Sequence, residues 1–435
     1  MKNEWVKMKI KYLFRIQNGG TPKSDEISYW EPPEIPWLTP EDLSDKKKYV
    51  NESKRQISYL GLSNSSANLI SRNSVVMSTR APIGNPKIVP FDYATNQGCK
   101  SLINKDKSRS SSEFLYYSLV ANEEIIKIRG RGTTFKELSN YDLNNFTLSF
   151  PTLNKQNRIV SFLNQKTTEI DELIADKERL IELLEEKRQA VITETVTKGL
   201  DPNVKMKDSG VEWIGEVPEH WEVNKFKKYV LIQEGPGIMA KDFRLNGIPL
   251  IRISGVKQAR VSLKGCNYLD EETVLKKWDQ FRLNVGDLLI SASASVNIIS
   301  EVTEEAAGSI PYTGLIRINT KSEYLKKDFI KYYIQSYVYK SQIELLKTGS
   351  TIQHYGPTHL RNFILVIPSI VEQEKIISLL DDKISSIHSS LTFIKSQISK
   401  LKEYRQSLIY EAVTGKIDVS DYEVPAESQT EEVSH

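Results

Sequence analysis

The sequence has little of what usually settles a function on its own. Two cysteines, Cys99 and Cys266, stand far apart in a chain of 435 residues. They cannot make a disulfide framework, and reduced, buried thiols in a cytoplasmic protein are the expected state. No apolar run approaches the roughly 20 residues that cross a bilayer. The opening MKNEWVKMKIKYLF lacks the apolar core of a secretory leader, so neither membrane nor export is expected. There is no G-x-x-x-x-G-K-[ST] phosphate loop, no strand-linked G-x-G-x-x-G and no nucleophile elbow. The Asp/Asn-Pro-Pro-aromatic run of an amino-methyltransferase is missing too, since Glu31-Pro32-Pro33-Glu34 has the wrong flanks. His354 and His359 lie five apart with no Cys or carboxylate at ligand spacing, so no metal site is expected. Neither catalytic residues nor a cofactor site can be assigned to this chain.

What the chain does have is a repeat. Residues 151–201 and 368–418 align without a gap and share 17 of 51 residues, including Gln156/Gln373, Ile159/Ile376 and Arg188/Arg405. In the second copy Leu380, Ile384, Ile387, Leu391, Ile394, Ile398, Leu401, Arg405 and Leu408 fall at 4-3-4-3 spacing, the seam of a coiled coil. The first copy places Leu163, Thr167, Ile170, Ile174, Lys177, Ile181, Leu184, Arg188 and Val191 at the matching positions. Each copy follows a globular stretch of similar length, so the protein is built twice.

The expected organisation is a globular domain over 1–150, a helix over 151–199, a linker over 200–218, a second domain over 219–367, a second helix over 368–416 and an acidic, disordered tail over 417–435. Both globular domains read as mixed α and β. Ser74–Ser78 and Ser101–Asn104 are expected strands, and Gly286–Ser291 matches the first of these. Glu113–Ile128 and Asp328–Leu346 are expected as one helix each. About 44 helical residues span about 66 Å at 1.5 Å per residue. A linker of about 20 residues could return over that distance only when nearly taut, at about 66–72 Å. The helices are therefore expected to run antiparallel, as a pseudo-two-fold internal repeat.

Positive charge is concentrated on the globular parts. Residues 1–150 carry 22 basic against 16 acidic side chains, and an anionic partner fits that excess. Three loops hold residues suited to nucleic acid. Thr79 and Arg80 follow a strand in a Gly/Pro loop, where a guanidinium could reach guanine or a phosphate. Arg129, Arg131, Thr133 and Thr134 combine charge, glycine and hydroxyls. In register with them, Lys347, Ser350, Thr351, Gln353 and His354 recur in the second domain. Asn96 and Gln97, in a polar turn, complete the set of candidate DNA-binding residues. A solvated turn with incidental charge is the alternative for each loop.

Three runs then carry a resemblance: Gly132 to Gln156 (GTTFKELSNYDLNNFTLSFPTLNKQ), Lys187 to Trp221 and Gly349 to Gln373, with Thr95 to Leu102 (TNQGCKSL) in support. Over nearly its whole length the sequence resembles the specificity (S, or HsdS) subunit of type I restriction-modification systems. The resemblance implies an α+β protein with two target recognition domains, each reading one half of a bipartite site in double-stranded DNA. It implies two antiparallel coiled-coil helices that set the spacing and dock two modification subunits, with restriction subunits added where a system has them. Adenine methylation with S-adenosylmethionine, and restriction with ATP and Mg2+, would belong to those partners. Lys177, Arg188 and Arg405, polar entries in an apolar seam, are the expected docking positions. The second domain departs from the family pattern, with Ser291-Ala292-Ser293-Ala294-Ser295 where many members carry an Arg. A coiled-coil protein-interaction scaffold without DNA specificity is the competing reading.

Overall fold

The computed structural model describes residues 5–419 apart from 46, 81, 131–136, 293–297, 322 and 349–354, together with residue 422; the side chains at 347 and 348 also lie outside it. The expected disordered tail, 417–435, therefore falls outside the described residues except at 417–419 and 422. The chain folds as two compact units, residues 1–177 with 396–435, and residues 178–395. Each unit holds one globular domain and a portion of both long helices.

In the first unit, β1 (Phe14–Asn18), β2 (Ser74–Ser78), β3 (Gly84–Val89) and β4 (Cys99–Asn104) form an antiparallel sheet in the order β1-β4-β2-β3. Every residue of β2 is buried, which is why SVVMS shows no alternation of polar and apolar positions. A smaller sheet joins Ile35–Leu38 to Gln56–Ile57 and, in parallel, to Ala94–Thr95. Val6–Lys9 pairs with Thr147–Phe150, bringing the two ends of the domain together.

The second unit repeats this plan. Its strands β5 (Val230–Glu234), β6 (Leu288–Ser291), β7 (Ile299–Glu301) and β8 (Leu315–Thr320) take the order β5-β8-β6-β7. Its smaller sheet also contains one parallel pair, and Glu222–Lys225 closes against Ile364–Ile367. Sequence register between the copies fades toward the middle of each domain, whereas the larger sheet has the same strand order in both; the smaller sheet has three strands in the first unit and four in the second.

The expected helix over 113–128 is two helices, Ser112–Ala121 and Glu123–Arg129. Asn122 leaves the helical region at φ −109°, ψ 14° and its amide donates to the Ser118 carbonyl at 2.8 Å. The expected helix over 328–346 likewise divides into Lys327–Gln335 and Tyr337–Thr348. There Ser336 turns extended at ψ 159°, and its hydroxyl donates to the Tyr333 carbonyl while accepting from the Tyr339 N–H. Both breaks follow from short polar side chains that compete for backbone hydrogen bonds. The apolar period runs through them, so spacing alone did not reveal either one.

The two long helices, Leu153–Lys198 and Ile370–Val413, have 46 and 44 residues. In the first unit Lys177 Nζ donates to Gln397 Oε1 at 2.7 Å, and Arg405 Nη2 donates to Asp171 Oδ2 at 3.0 Å. The lower number on one helix meets the higher number on the other, so the helices run antiparallel. In the second unit Ile192 and Val196 share a core with Ile376 and Leu380, again in the antiparallel sense.

A buried glutamine ties each domain to its helix by the same three bonds. Gln156 accepts from the Ser111 N–H and donates to the Arg109 and Pro151 carbonyls. Gln373 accepts from the Lys326 N–H and donates to the Tyr324 and Pro368 carbonyls. Each long helix is followed by a glycine at positive φ, Gly199 at +78° and Gly415 at +76°. A Cβ on Gly199 would lie 3.0 Å from Trp221, and one on Gly415 would lie 2.6 Å from Trp5. The tryptophan that opens the second domain thus covers the end of the first helix. The one that opens the first domain covers the end of the second helix.

Candidate nucleic-acid interface

Loops far apart in sequence meet at one end of the first domain's sheet. The Thr79 N–H donates to the Gly98 carbonyl at 2.8 Å, and the Leu138 N–H donates to the Thr79 carbonyl at 2.9 Å. Arg80 and Glu137 form an isolated antiparallel bridge. The loop after β2, the turn at 95–98 and the chain leaving 131–136 are thereby stitched together. Gly19 completes the arrangement. A Cβ there would lie 2.0 Å from the Asn96 carbonyl oxygen, so only glycine lets the end of β1 come this close.

Between these segments lies an open cleft of about 460 Å³, lined by Asn18, Arg80, Gln97, Lys100, Glu137 and Asn140 among others. Arg80 Nε donates to Glu137 Oε2 at 3.2 Å. The other carboxylate oxygen, Oε1, lies 3.8 Å from Lys100 Nζ. Lys100 is only 6% exposed, because β4 runs inside the sheet between β1 and β2. Burial pushes its ammonium below the ordinary lysine value; Glu137 pulls it back up and Arg80 pushes it further down. The Oδ1 of Asn140 and the Oγ1 of Thr95 are buried without a hydrogen bond among the described residues.

The corresponding place in the second domain keeps the backbone stitch and has an apolar residue where Lys100 stands. The Tyr355 N–H donates to the Ala292 carbonyl at 3.3 Å, and its hydroxyl donates to the Ser291 carbonyl at 2.7 Å. Strand pairing sets Ile316 opposite Glu234, as Lys100 stands opposite Asn18. Ile316 is fully buried. Glu234 accepts from the Gly314 N–H at 3.1 Å.

A model of the type I restriction modification DNA specificity domain matches the chain twice, at 2–183 and 218–399. The chain belongs to that family. The MjaIX specificity subunit of Methanocaldococcus jannaschii is 23% identical over 431 residues, covering 96% of this chain and 94% of the relative. The MjaVIII specificity subunit of the same organism is 26% identical over 315 residues, 71% of each chain. Among solved structures, a chain from work on complex assembly and conformational transition of the type I R-M system superposes with a TM-score of 0.73 at 16% identity. That match covers 95% of this chain and 98% of the other. The HsdS subunit from Thermoanaerobacter tengcongensis gives 0.53 at 16% identity, covering 96% and 98%. These structures show the same fold. Nothing found supports the interaction-scaffold alternative.

This specificity-family chain places its expected site residues unevenly. Arg80 and Gln97 line the cleft, and Gln97 accepts from the Thr21 hydroxyl at 2.6 Å. Thr79 is fully buried and joins the loops, its hydroxyl donating to the Gly98 carbonyl. Asn96 Oδ1 accepts from the Gly98 N–H at 2.9 Å and shapes the turn. Arg129 is exposed, its guanidinium 4.7 Å from the centre of the Phe146 ring. Arg131, Thr133, Thr134, Ser350, Thr351, Gln353 and His354 lie outside the described residues, as does the side chain of Lys347.

The seam cations all have partners within their own unit. Lys177 bonds Gln397, Arg405 bonds Asp171, and Arg188 bonds Glu185 at 3.3 Å and Gln335 at 3.0 Å. Thr167, the other polar entry, returns its hydroxyl to the Leu163 carbonyl at 2.7 Å. Sequence reasoning missed Lys100 and Glu137. A lysine inside an otherwise buried strand was a visible signal for the first. No spacing connects Glu137 to Arg80, 57 residues away in sequence. Among the described residues no His, Cys, Asp and Glu cluster is arranged to hold a metal, and no helix is long and apolar enough to cross a membrane.

Proposed function

We propose that this chain is the DNA-reading subunit of a type I modification complex, in which each globular domain reads one half of a bipartite target in double-stranded DNA. The observation that carries this reading is the duplicated frame: one sheet order, one glutamine tie and one helix closure occur twice, beneath loops that differ in charge. A shared frame with two different surfaces is what an asymmetric two-part site requires. A helix of 46 residues is about 69 Å long, close to two turns of B-DNA at about 34 Å each.

Two modification subunits dock on the long helices in this proposal. Leu173, Leu180 and Leu183 on the first helix, and Phe393 and Tyr404 on the second, are exposed apolar side chains available to them. The remaining donors of Lys177, Arg188 and Arg405 are further contacts for those subunits in this proposal. The chain itself is non-catalytic and cytoplasmic in this scheme. Partners supply adenine methylation with S-adenosylmethionine and, where restriction subunits join, cleavage with ATP and Mg2+.

The test is to replace residues 1–150 by the first domain of another specificity subunit and to sequence methylated adenines in the host. One half of the motif should change while the other half and the gap stay. A change in both halves, or in neither, would overturn the reading.

A further inference from the structure

The first domain's cleft contains a buried lysine that no mechanism for a neutral, structural pocket requires. Lys100 is aimed into it, and its Nζ makes no hydrogen bond among the described residues, since Glu137 lies at 3.8 Å. Arg80 shares that one carboxylate through Nε alone, and its two terminal nitrogens make no hydrogen bond to any described residue. Two cations against one anion leave a formal charge of about +1 in a partly desolvated place, where Coulomb attraction is stronger than in water. An amide adds to it: Asn140 lines the cleft with its Oδ1 unsatisfied, and turning the amide over would present a donor instead.

We propose that Arg80 and Lys100 form a binding site for one DNA phosphodiester, and that Glu137 occupies the place of that anion until DNA arrives. The proposal deepens the DNA-reading function above and rests on it. Three observations favour a phosphate over a base edge. A side chain as buried as Lys100 cannot reach into a groove, whereas a phosphate oxygen can enter an open cleft. The lysine is a point charge, which suits a phosphate and lacks the planar fork that reads guanine. The burial that lowers the Lys100 value also makes a second anion beside it more favourable, because each new negative charge restores the charged form.

Among the described residues the site belongs to the first domain only. In the second, Ile316 takes the lysine's position in the sheet, and the segment matching Arg80 is a run of serine and alanine without a cation. Glu137 then has a definite role. With no phosphate bound it keeps two neighbouring cations from repelling each other, and it weakens binding to every DNA sequence equally.

The experiment uses the full chain assembled with its modification subunits, and two duplexes: one carrying the mapped motif and one scrambled. Binding is followed by fluorescence anisotropy over a salt series for wild type, Arg80→Ala, Lys100→Met and Glu137→Gln. Arg80→Ala and Lys100→Met should weaken both duplexes by the same factor, about tenfold, and lower the salt slope by about 0.9, one phosphate's worth. Glu137→Gln should tighten both duplexes, by roughly threefold, and steepen the slope. A scan with single methylphosphonate linkages should find one position that weakens wild type and leaves Arg80→Ala unaffected.

A loss confined to the cognate duplex would make Arg80 a base contact and overturn the phosphate site. Weaker binding in Glu137→Gln would make the carboxylate a prop for Arg80 and overturn its role as stand-in. No change in Arg80→Ala, an exposed position that folding tolerates, would remove the cleft from the DNA surface even if Lys100→Met failed to fold. If wild type itself bound without salt dependence, the DNA-reading function would fail, which is a separate result.

Discussion

The two globular domains agree in most of what holds them up and differ in what they present. The larger sheet's order, the end-to-end strand pair, the buried glutamine and the tryptophan over a helix end are the same in both. At the cleft, the first domain has Arg80 and Lys100 where the second has a serine–alanine run and Ile316, and Glu137 matches His354 in the sequence. The frame depends on buried hydrogen bonds and packing, where most changes are destabilising. Arg80 is an exposed loop side chain free of that constraint, whereas the exchange of Lys100 for Ile316 lies on a buried strand. The domains therefore stand on similar supports and carry different side chains at the cleft position.

Two glutamines offer the strongest way to break that equivalence. Gln156→Ala and Gln373→Ala each strand three backbone groups, and each should lose about 2–4 kcal/mol in urea unfolding. Matching losses would confirm equal supports. A gap of more than about 1 kcal/mol would show that one domain leans on its helix more than the other.

Acid should separate the domains next. In the second unit Glu372 accepts from the Trp221 indole and pairs with His220. Burial alone would raise its carboxyl, but His220, Ser369 and Trp221 hold it down at about 2. A value depressed by folding contributes stability above the ordinary carboxylate range, and that contribution disappears as pH falls from about 4.5 toward 2. The first domain has Lys155 at the matching position, and no such loss is expected there. Glu372→Gln should flatten the acid dependence of tryptophan fluorescence in that window. An unchanged profile would refute the assignment.

The smallest effect is expected in the helix seam. Lys177 matches Ile394, which is buried, yet Lys177 is satisfied by Gln397. Lys177→Leu should change stability by no more than about 1 kcal/mol, toward greater stability, because a long side chain at a half-exposed position gains little from its bond. If assembly with the modification subunits collapses while the melting temperature holds, Lys177 is a docking residue.

Much of the fold was legible because it is periodic. The seam from Leu380 to Leu408 and the apolar centre of β2, Val75 to Met77, announce their elements through residue type and spacing. The division of Ser112–Arg129 at Asn122 was not legible, because a lone asparagine is as compatible with a helix interior as with a break. In the site, Arg80 and Gln97 stood out by residue type. Glu137 did not, since its meaning depends on a bridge to Arg80 across 57 residues.

The sequence by itself determined that the protein is a duplication and that its helices are long and paired. Repetition and heptad spacing are local properties, and they survive in a linear string. Only the tertiary structure decided that each tryptophan closes the other repeat's helix, with Trp5 on Gly415 and Trp221 on Gly199. Only it decided, too, that a buried lysine, an arginine and one glutamate share a cleft in the first domain. Those are contacts between distant segments, set by how sheets and helices pack, and nothing in local composition encodes them.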